Sequence, residues 1–174
     1  YKIDVWQRYA NNGTFDDGVY DREVNLYERD KNATCVVIWS LGNESSFGKM
    51  FYKGVEYIKS RDLRPIHYEG NWETDQSEYY TDKIDIASRM YPPVSFFDEF
   101  LADEKETRPF VMCEYSHSMG NSNGDLSDYW EKIESNDRFM GGFVWEWCDH
   151  AVKGEKGFLY GGDFGEKEHD GNFC

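Results

Sequence analysis

Short apolar runs that stop at polar residues recur along this chain, and each run has the length of a strand. Runs of this length, rich in β-branched and aromatic residues and bounded by Gly, Pro, Asn or Ser, are typical of buried strands. The predicted strands are Cys35 to Ser40, Pro65 to Tyr68, Ile84 to Met90, Phe110 to Cys113, and Gly142 to Trp147.

The segments between these runs change to a helical period. Four apolar residues at helical spacing predict a helix running roughly from Phe47 to Lys59: Phe47, Phe51, Val55 and Ile58. Shorter helices are predicted at Asp98 to Ala102 and at Ser127 to Ile133. The apolar residues expected to pack from the last helix are Leu126, Tyr129, Trp130 and Ile133. Strands alternating with helices predict an α/β fold with a parallel sheet.

Two of the predicted strands end at a glutamate. Glu44 follows the first strand in a Gly-Asn-Glu-Ser turn, and Glu114 follows the fourth predicted strand. A pair of carboxyl groups at strand ends suits glycoside hydrolysis, in which one protonates the leaving oxygen and the other attacks or supports the anomeric carbon. The competing interpretation is that each is a solvated surface residue, because the chain has 34 acidic side chains. The residues around each glutamate decide between these interpretations.

Those surroundings resemble the two active-site signatures of glycoside hydrolase family 2 β-galactosidases. The two signatures are Trp39-Ser40-Leu41-Gly42-Asn43-Glu44-Ser45 and Cys113-Glu114-Tyr115-Ser116-His117-Ser118-Met119-Gly120-Asn121-Ser122. Further stretches follow the order and rough spacing of that family: Arg29-Asp30-Lys31-Asn32, Arg64-Pro65-Ile66-His67-Tyr68-Glu69-Gly70, Met90-Tyr91, Gly141-Gly142-Phe143-Val144-Trp145-Glu146-Trp147 and Gly161-Gly162-Asp163-Phe164-Gly165. The resemblance covers nearly everything from about Asp16 to Cys174.

The resemblance implies a (β/α)8 TIM barrel. A complete barrel takes about 250 residues, whereas this chain has 174. Residues 1–174 are therefore expected to form one partial catalytic barrel domain, with the predicted strands as roughly the fourth to the eighth.

The resemblance also implies roles for individual residues. Glu44 would be the acid/base and Glu114 the nucleophile of a retaining enzyme that cleaves terminal β-D-galactosides such as lactose through a covalent galactosyl-enzyme. Asn43 would hydrogen-bond the 2-hydroxyl of the sugar. The substrate-binding residues implied in this way are Asn43, Tyr91, His117 and Trp145.

Metal ions are implied by the same resemblance. Glu44 would contact a magnesium ion whose other protein ligands come from a strand before the fourth of the barrel, which this segment is expected to lack, and the backbone carbonyl of Phe173 would contact a sodium ion. The stretch before Phe173 departs from the common loop, with Glu168 and His169 where Pro-Asn is frequent. Magnesium and sodium are therefore expected for the parent enzyme, and this segment need not retain them.

Composition narrows the remaining function classes. The formal net charge of −15 disfavours nucleic acid. The sequence contains no run of about 18 apolar residues, so no membrane span is predicted. A cytoplasmic location is expected. The cysteines Cys35, Cys113, Cys148 and Cys174 show no metal-binding spacing and are expected to be buried, reduced thiols.

Aromatic residues form 18% of the chain, and they can serve either a core or a sugar site. Trp39, Phe110, Phe143 and Trp147 are expected in the core or packed behind the site, whereas Trp145 is expected to line it.

Alternatives remain open. Other family 2 enzymes, β-glucuronidases and β-mannosidases, are implied to share the same machinery. A noncatalytic carbohydrate-binding or assembly fragment would keep the aromatic walls without turnover, and an acidic metal-binding module fits the charge but lacks an EF-hand loop. The expected partners are the β-galactoside substrate and the remainder of the parent galactosidase chain, within a full-length homo-oligomer.

Overall fold

The computed structural model describes residues 13–45, 47–69, 83–119, 123–155, 157–165 and 167. The chain divides into two compact units. The first unit comprises Tyr1–Ser88 and Thr107–Val111, and the second comprises Arg89–Glu106 and Met112–Cys174. Each unit is described by itself below.

Helices and strands alternate through most of the described chain. In order they are α1 (Asp16–Asp30), β1 (Trp39–Ser40), α2 (Lys49–Lys59), β2 (Ile66–His67), β3 (Ala87–Met90), α3 (Phe96–Ala102), β4 (Phe110–Tyr115), α4 (Leu126–Glu134), β5 (Phe139–Val144), β6 (Val152–Gly154) and β7 (Gly157–Leu159). Strands β1 and β2 pair in parallel, β3, β4 and β5 are neighbours in that order, and β6 and β7 form an antiparallel pair.

The first unit is built on the parallel pair β1 and β2, with α1 and α2 packed against each other. The core contains aromatic and aliphatic side chains from both helices, both strands and the segments that flank them: Tyr27, Trp39, Leu41, Phe47, Phe51, Val55, Ile58, Ile66, Tyr68 and Ile84. Arg64 fixes the entry to β1, because its guanidinium donates to the carbonyls of Lys31 at 2.7 Å and Val36 at 3.0 Å.

The second unit has its own aromatic core. The rings of Phe97 and Phe139 lie 4.8 Å apart, and Tyr129 of α4 contacts both Phe97 and Tyr115. The hydroxyl of Tyr129 donates to the carbonyl of Pro92 at 2.6 Å. Helix α4 is thereby tied to the loop that follows β3.

Most predicted elements are confirmed, with changed ends. Helix α2 buries Phe51, Val55 and Ile58, as the spacing predicts, and Phe47 is buried just before the helix begins at Lys49. The first two strands are shorter than predicted. The first begins only at Trp39, because the chain turns before it and the amide of Val36 bonds to the carbonyl of Ala33 at 3.2 Å. The last predicted strand begins earlier, at Phe139, and ends at Val144.

Some burial predictions are wrong. Trp39 and Phe110 are in the core as expected, each 1% exposed, but Phe143 is 64% exposed and Trp147 is 98% exposed. Trp147 lies beyond the end of β5, and Phe143 is on its exposed face. In α4 only Ile133 is fully buried, while Leu126 and Trp130 are exposed.

The thiols show a similar mixture. Cys35, Cys113 and Cys148 are free, as expected, but Cys35 and Cys148 are exposed and Cys113 is half-buried. Cys35 lies in the turn before β1 and Cys148 follows β5, so neither occupies a strand that would bury it. Cys174 lies outside the described residues. None of the helices in the described ranges is long and apolar enough to cross a membrane.

Candidate active site

Glu44 lies in the turn that follows β1, at the carboxyl end of the strand. Its side chain is exposed, as is that of Asn43. Its backbone has a φ of +47°, in the left-handed region that side chains other than glycine rarely adopt. Such a conformation persists only where neighbouring groups hold it.

One neighbour that bonds to this turn is the side chain of Glu69. The backbone N–H of Glu44 donates to Oε2 of Glu69 at 3.0 Å. Glu69 follows β2 and is only 5% exposed. A hydrogen bond from an amide to a carboxylate is stronger than one between neutral groups, so this contact is well suited to fixing the turn.

Main-chain hydrogen bonds pair the two strand segments just before this contact. The N–H of Trp39 donates to the carbonyl of Pro65 at 2.9 Å, and the N–H of Leu41 donates to the carbonyl of His67 at 3.1 Å. At the next residue, Gly42, an added Cβ would lie 3.3 Å from ring atoms of both Phe51 and Tyr68. The glycine therefore lets the chain pass close to two aromatic side chains before it reaches Glu44.

His67 links three strand segments of the first unit. Its Nδ1 lies 2.8 Å from the hydroxyl of Ser40, and its Nε2 lies 2.7 Å from the hydroxyl of Ser88. Burial lowers the pKa of His67 to about 4, so the imidazole is neutral at neutral pH. One ring nitrogen then donates and the other accepts, and the hydroxyls complete the chain of hydrogen bonds.

Glu114 is held differently, within strand β4 of the second unit. Its residue is 9% exposed, and its carbonyl accepts a hydrogen bond from the N–H of Tyr91 at 2.8 Å. Tyr91 comes directly after β3 and has a φ of +45°. The backbone ladder thus places the predicted nucleophile beside the predicted tyrosine.

His117 and Trp145 complete this group. The ring of His117 lies 6.2 Å from the ring of Tyr91 and 6.5 Å from that of Trp145. Backbone bonds hold Trp145 in place, from its N–H to the carbonyl of Tyr115 at 3.0 Å and from the N–H of Ser118 to its carbonyl at 3.4 Å. Tyrosine, histidine and tryptophan rings provide both a stacking surface and polar groups for a sugar.

The structure therefore gathers the predicted residues into two groups. Tyr91, Glu114, His117 and Trp145 come together in the second unit, and Asn43 and Glu44 share one turn in the first. Glu69 and His67 are additional residues that the sequence analysis did not assign a role. The sequence feature that could have indicated them is their position in the Arg64 to Gly70 stretch, at the end of the predicted strand Pro65 to Tyr68.

Of the two residues implied to contact metal ions, Glu44 lies among the described residues. Within the described ranges no group of three or more His, Cys, Asp or Glu side chains could hold a metal ion. Glu44 alone does not form a magnesium site, since this ion prefers octahedral oxygen coordination. Phe173, the predicted sodium ligand, lies outside the described residues.

Comparison with known proteins identifies the family. The model of glycosyl hydrolases family 2, TIM barrel domain, matches residues 2–174. The chain belongs to glycosyl hydrolase family 2. It is 48% identical to a beta-galactosidase of Staphylococcus xylosus over 95% of this chain, and 45% identical to one of Actinobacillus pleuropneumoniae over 99%. The chain spans 17% of the length of each relative.

Solved structures support the fold. The match to a Ruminococcus gnavus beta-glucuronidase covers 84% of this chain and 32% of the glucuronidase chain, with a TM-score of 0.57 and 18% sequence identity. The match to a Faecalibacterium prausnitzii beta-glucuronidase covers 77% of this chain and 29% of the glucuronidase chain, with a TM-score of 0.55 and 18% sequence identity. The chain is part of a TIM barrel, as the resemblance to family 2 implied.

Proposed function

We propose that this chain supplies the two catalytic carboxyl groups of a retaining β-galactosidase. The observation that carries the proposal is a group of residues in the second unit. Glu114 is nearly buried in β4 and its carbonyl accepts from the N–H of Tyr91, whose ring lies near that of His117, and the ring of His117 lies near that of Trp145. Such a group offers a nucleophile together with aromatic and polar contacts for a sugar ring.

The proposed reaction has two steps. In the first, the Glu114 carboxylate attacks the anomeric carbon while the bond to the aglycone oxygen breaks, and Glu44 gives its proton to that oxygen. In the second, Glu44 takes a proton from water, the water oxygen attacks the anomeric carbon, and the bond to Glu114 breaks. Galactose leaves with retained configuration, and Glu44 is protonated again.

The two carboxyl groups have different surroundings, which suits different roles. Glu114 is within a strand and nearly buried, whereas Glu44 is exposed on a turn where an aglycone and then a water molecule can reach it. A retaining enzyme needs carboxyl groups about 5 to 5.5 Å apart. We expect that separation between Glu44 and Glu114 in a crystal structure of the complete protein.

Galactosides are proposed as substrates because the relatives at 48% and 45% identity are named beta-galactosidases. The beta-glucuronidases among the solved structures are only 18% identical and support the fold alone. Asn43, Tyr91, His117 and Trp145 are proposed to bind the sugar, with Asn43 at its 2-hydroxyl. Lactose is the proposed natural substrate.

The rest of the parent chain is proposed as an essential partner, because the relatives are much longer than this segment. Magnesium and sodium are proposed only for the complete protein, and no step above depends on them. A homo-oligomer is proposed for the full-length enzyme. A noncatalytic role for this segment alone is the second candidate, favoured by the same difference in length.

Labelling tests the assignment of the nucleophile. The full-length protein treated with a fluorinated galactoside should carry a covalent sugar on Glu114, detected by mass spectrometry of peptides. Glu114→Gln should abolish labelling and turnover, whereas Glu44→Gln should retain activity on dinitrophenyl galactoside and be partly rescued by azide.

The matched control is Glu131→Gln, because Glu131 is an exposed residue of α4. It should label and turn over substrate as the wild type does. A label on Glu44, or identical kinetics for the Glu44 and Glu114 variants, would contradict the proposed roles.

A further inference from the structure

Strands β1 and β2 stop pairing before the chain reaches Glu44. The last main-chain bond between the two strand segments runs from the N–H of Leu41 to the carbonyl of His67 at 3.1 Å, among the described residues. Two residues after His67, the connection is resumed by a side chain, because Oε2 of Glu69 accepts the N–H of Glu44 at 3.0 Å. A carboxylate thus takes the place of the next carbonyl in the ladder.

We propose that Glu69 is a positioning residue for Glu44. The carboxylate of Glu69 sets the left-handed backbone conformation from which Glu44 acts as acid and base. This inference rests on the function proposed above. It adds a third glutamate to the two that carry the reaction, and it assigns Glu69 no contact with substrate.

The first argument is conformational. A residue with a side chain is strained at a φ of +47° relative to a right-handed or extended conformation. A charge-assisted hydrogen bond is among the stronger contacts that a backbone amide can make. The Glu69 contact can therefore select the left-handed conformation over the alternatives.

The second argument concerns the precision of the contact. Glu69 is 5% exposed, and the preceding residue, Tyr68, is 1% exposed and packs against Phe47 and Phe51. His67 is tied to Ser40 and Ser88. The two residues before Glu69 are therefore fixed, His67 by hydrogen bonds and Tyr68 by packing in the core. The Glu69 carboxylate thus has a defined position from which to bond to the turn.

The consequence is functional because proton transfer depends on position. General acid–base catalysis contributes about 10² to 10⁴ in rate, and a displacement of 1 Å can remove about 10² of it. Loss of the Glu69 contact should therefore affect protonation of the leaving group more than the attack by Glu114.

The experiment uses the full-length protein and three substitutions at Glu69. Glu69→Gln keeps both length and an acceptor oxygen, Glu69→Leu removes the acceptor, and Glu69→Asp keeps the charge but is about 1.5 Å shorter. For each variant, kcat/KM is measured on lactose, whose leaving group needs a proton, and on dinitrophenyl galactoside, whose leaving group does not. Thermal unfolding checks that each variant is folded.

We expect Glu69→Leu and Glu69→Asp to lose about 100-fold on lactose and less than about 3-fold on dinitrophenyl galactoside. Glu69→Gln should lose less than about 10-fold on lactose, because its carbonyl oxygen still accepts the Glu44 N–H. Equal losses on both substrates, or no loss, would overturn the proposal. If Glu69→Leu does not fold, the Asp variant decides by the same criteria.

A second measurement separates this proposal from the proposed function. Hydrogen exchange of the Glu44 amide should be slow in the wild type and faster in Glu69→Leu and Glu69→Asp, whatever the enzyme hydrolyses. Unchanged exchange would refute the positioning role even if Glu44 is the acid. Conversely, if Glu44→Gln shows no dependence on the leaving group, the proposed function fails while the exchange result still tests the contact.

Discussion

The two predicted catalytic glutamates are placed by different structural means. Glu114 is part of strand β4, and main-chain hydrogen bonds fix it beside Tyr91. Glu44 lies past the end of β1, in a left-handed turn that the side chain of Glu69 holds. A position set by the backbone ladder tolerates many neighbouring side chains, whereas a position set by one carboxylate depends on a single residue. The two glutamates should therefore respond differently to mutation.

The largest expected effect comes from removing the rest of the barrel. The 174-residue chain alone should have little or no galactosidase activity, because β1 has a neighbour only on its β2 side among the described residues and a closed barrel needs eight strands. Assay on nitrophenyl galactoside with magnesium, with and without a fragment carrying the preceding strands, measures this. Turnover by the isolated monomer at the rate of the full-length protein would show that a partial barrel suffices.

The packing that fixes Glu114 can be tested at Gly142. A Cβ at this position would lie 3.0 Å from Cβ of Met112 and 3.1 Å from Cδ1 of Tyr115, the residue after Glu114. Gly142→Ala should lower the free energy of unfolding by about 1 to 3 kcal/mol, since overpacking forces β4 and β5 apart. Urea unfolding of the variant measures this.

Gly124→Ala is the matched control, because an added Cβ there meets nothing within 4 Å. It should be neutral, or stabilising by up to about 1 kcal/mol through the unfolded state. Equal stability of the two variants would mean that the close approach at Gly142 relaxes without cost.

The smallest expected effect is a pH dependence of stability in the first unit. Burial raises the pKa of Glu23 to about 8 from 4.5 and lowers that of His67 to about 4 from 6.5. Between pH 4.5 and 6.5 the unfolded state binds more protons at His67 than the folded state does, so this group makes stability rise with pH. At Glu23 the unfolded state binds fewer protons, so this group makes stability fall, and the two effects oppose each other. From pH 6.5 to 8 only Glu23 contributes, and stability should fall by about 2 kcal/mol.

Glu23→Gln should remove this alkaline loss, which urea unfolding at the two ends of that pH window would measure. The exposed Glu131→Gln should retain it. If Glu23→Gln and the wild type lose stability in parallel over that window, Glu23 is not the group responsible.

The sequence predicted the parts of this fold that follow a simple period. Helix α2 was found because its apolar residues recur every three or four positions. Helix α1 was not predicted, since the residues it buries include a glutamate, Glu23, next to Tyr27. Burial of Trp147 was wrongly predicted because the strand ends three residues earlier, at Val144, and strand ends depend on pairing partners that one segment does not reveal.

The site shows the same division. Glu44 and Glu114 could be recognised because each follows an apolar run and stands in a distinctive stretch of sequence. Glu69 follows a run of the same kind, but in so acidic a chain its burial and its bond to Glu44 could not be distinguished from solvation without coordinates. Whether the predicted site residues bind sugar stays a prediction.

The contact between α1 and α2 has a consequence for redesign of this domain. At Gly54 of α2, an added Cβ would lie 2.8 Å from Cγ and 2.9 Å from Cβ of Glu23 in α1. A residue larger than glycine at position 54 would force Glu23 to shift, and a smaller residue at 23 alone would leave a gap. Homologues and engineered variants should therefore change the two positions as a pair, so that a library varied at one helix at a time would miss the sequences that repack this interface.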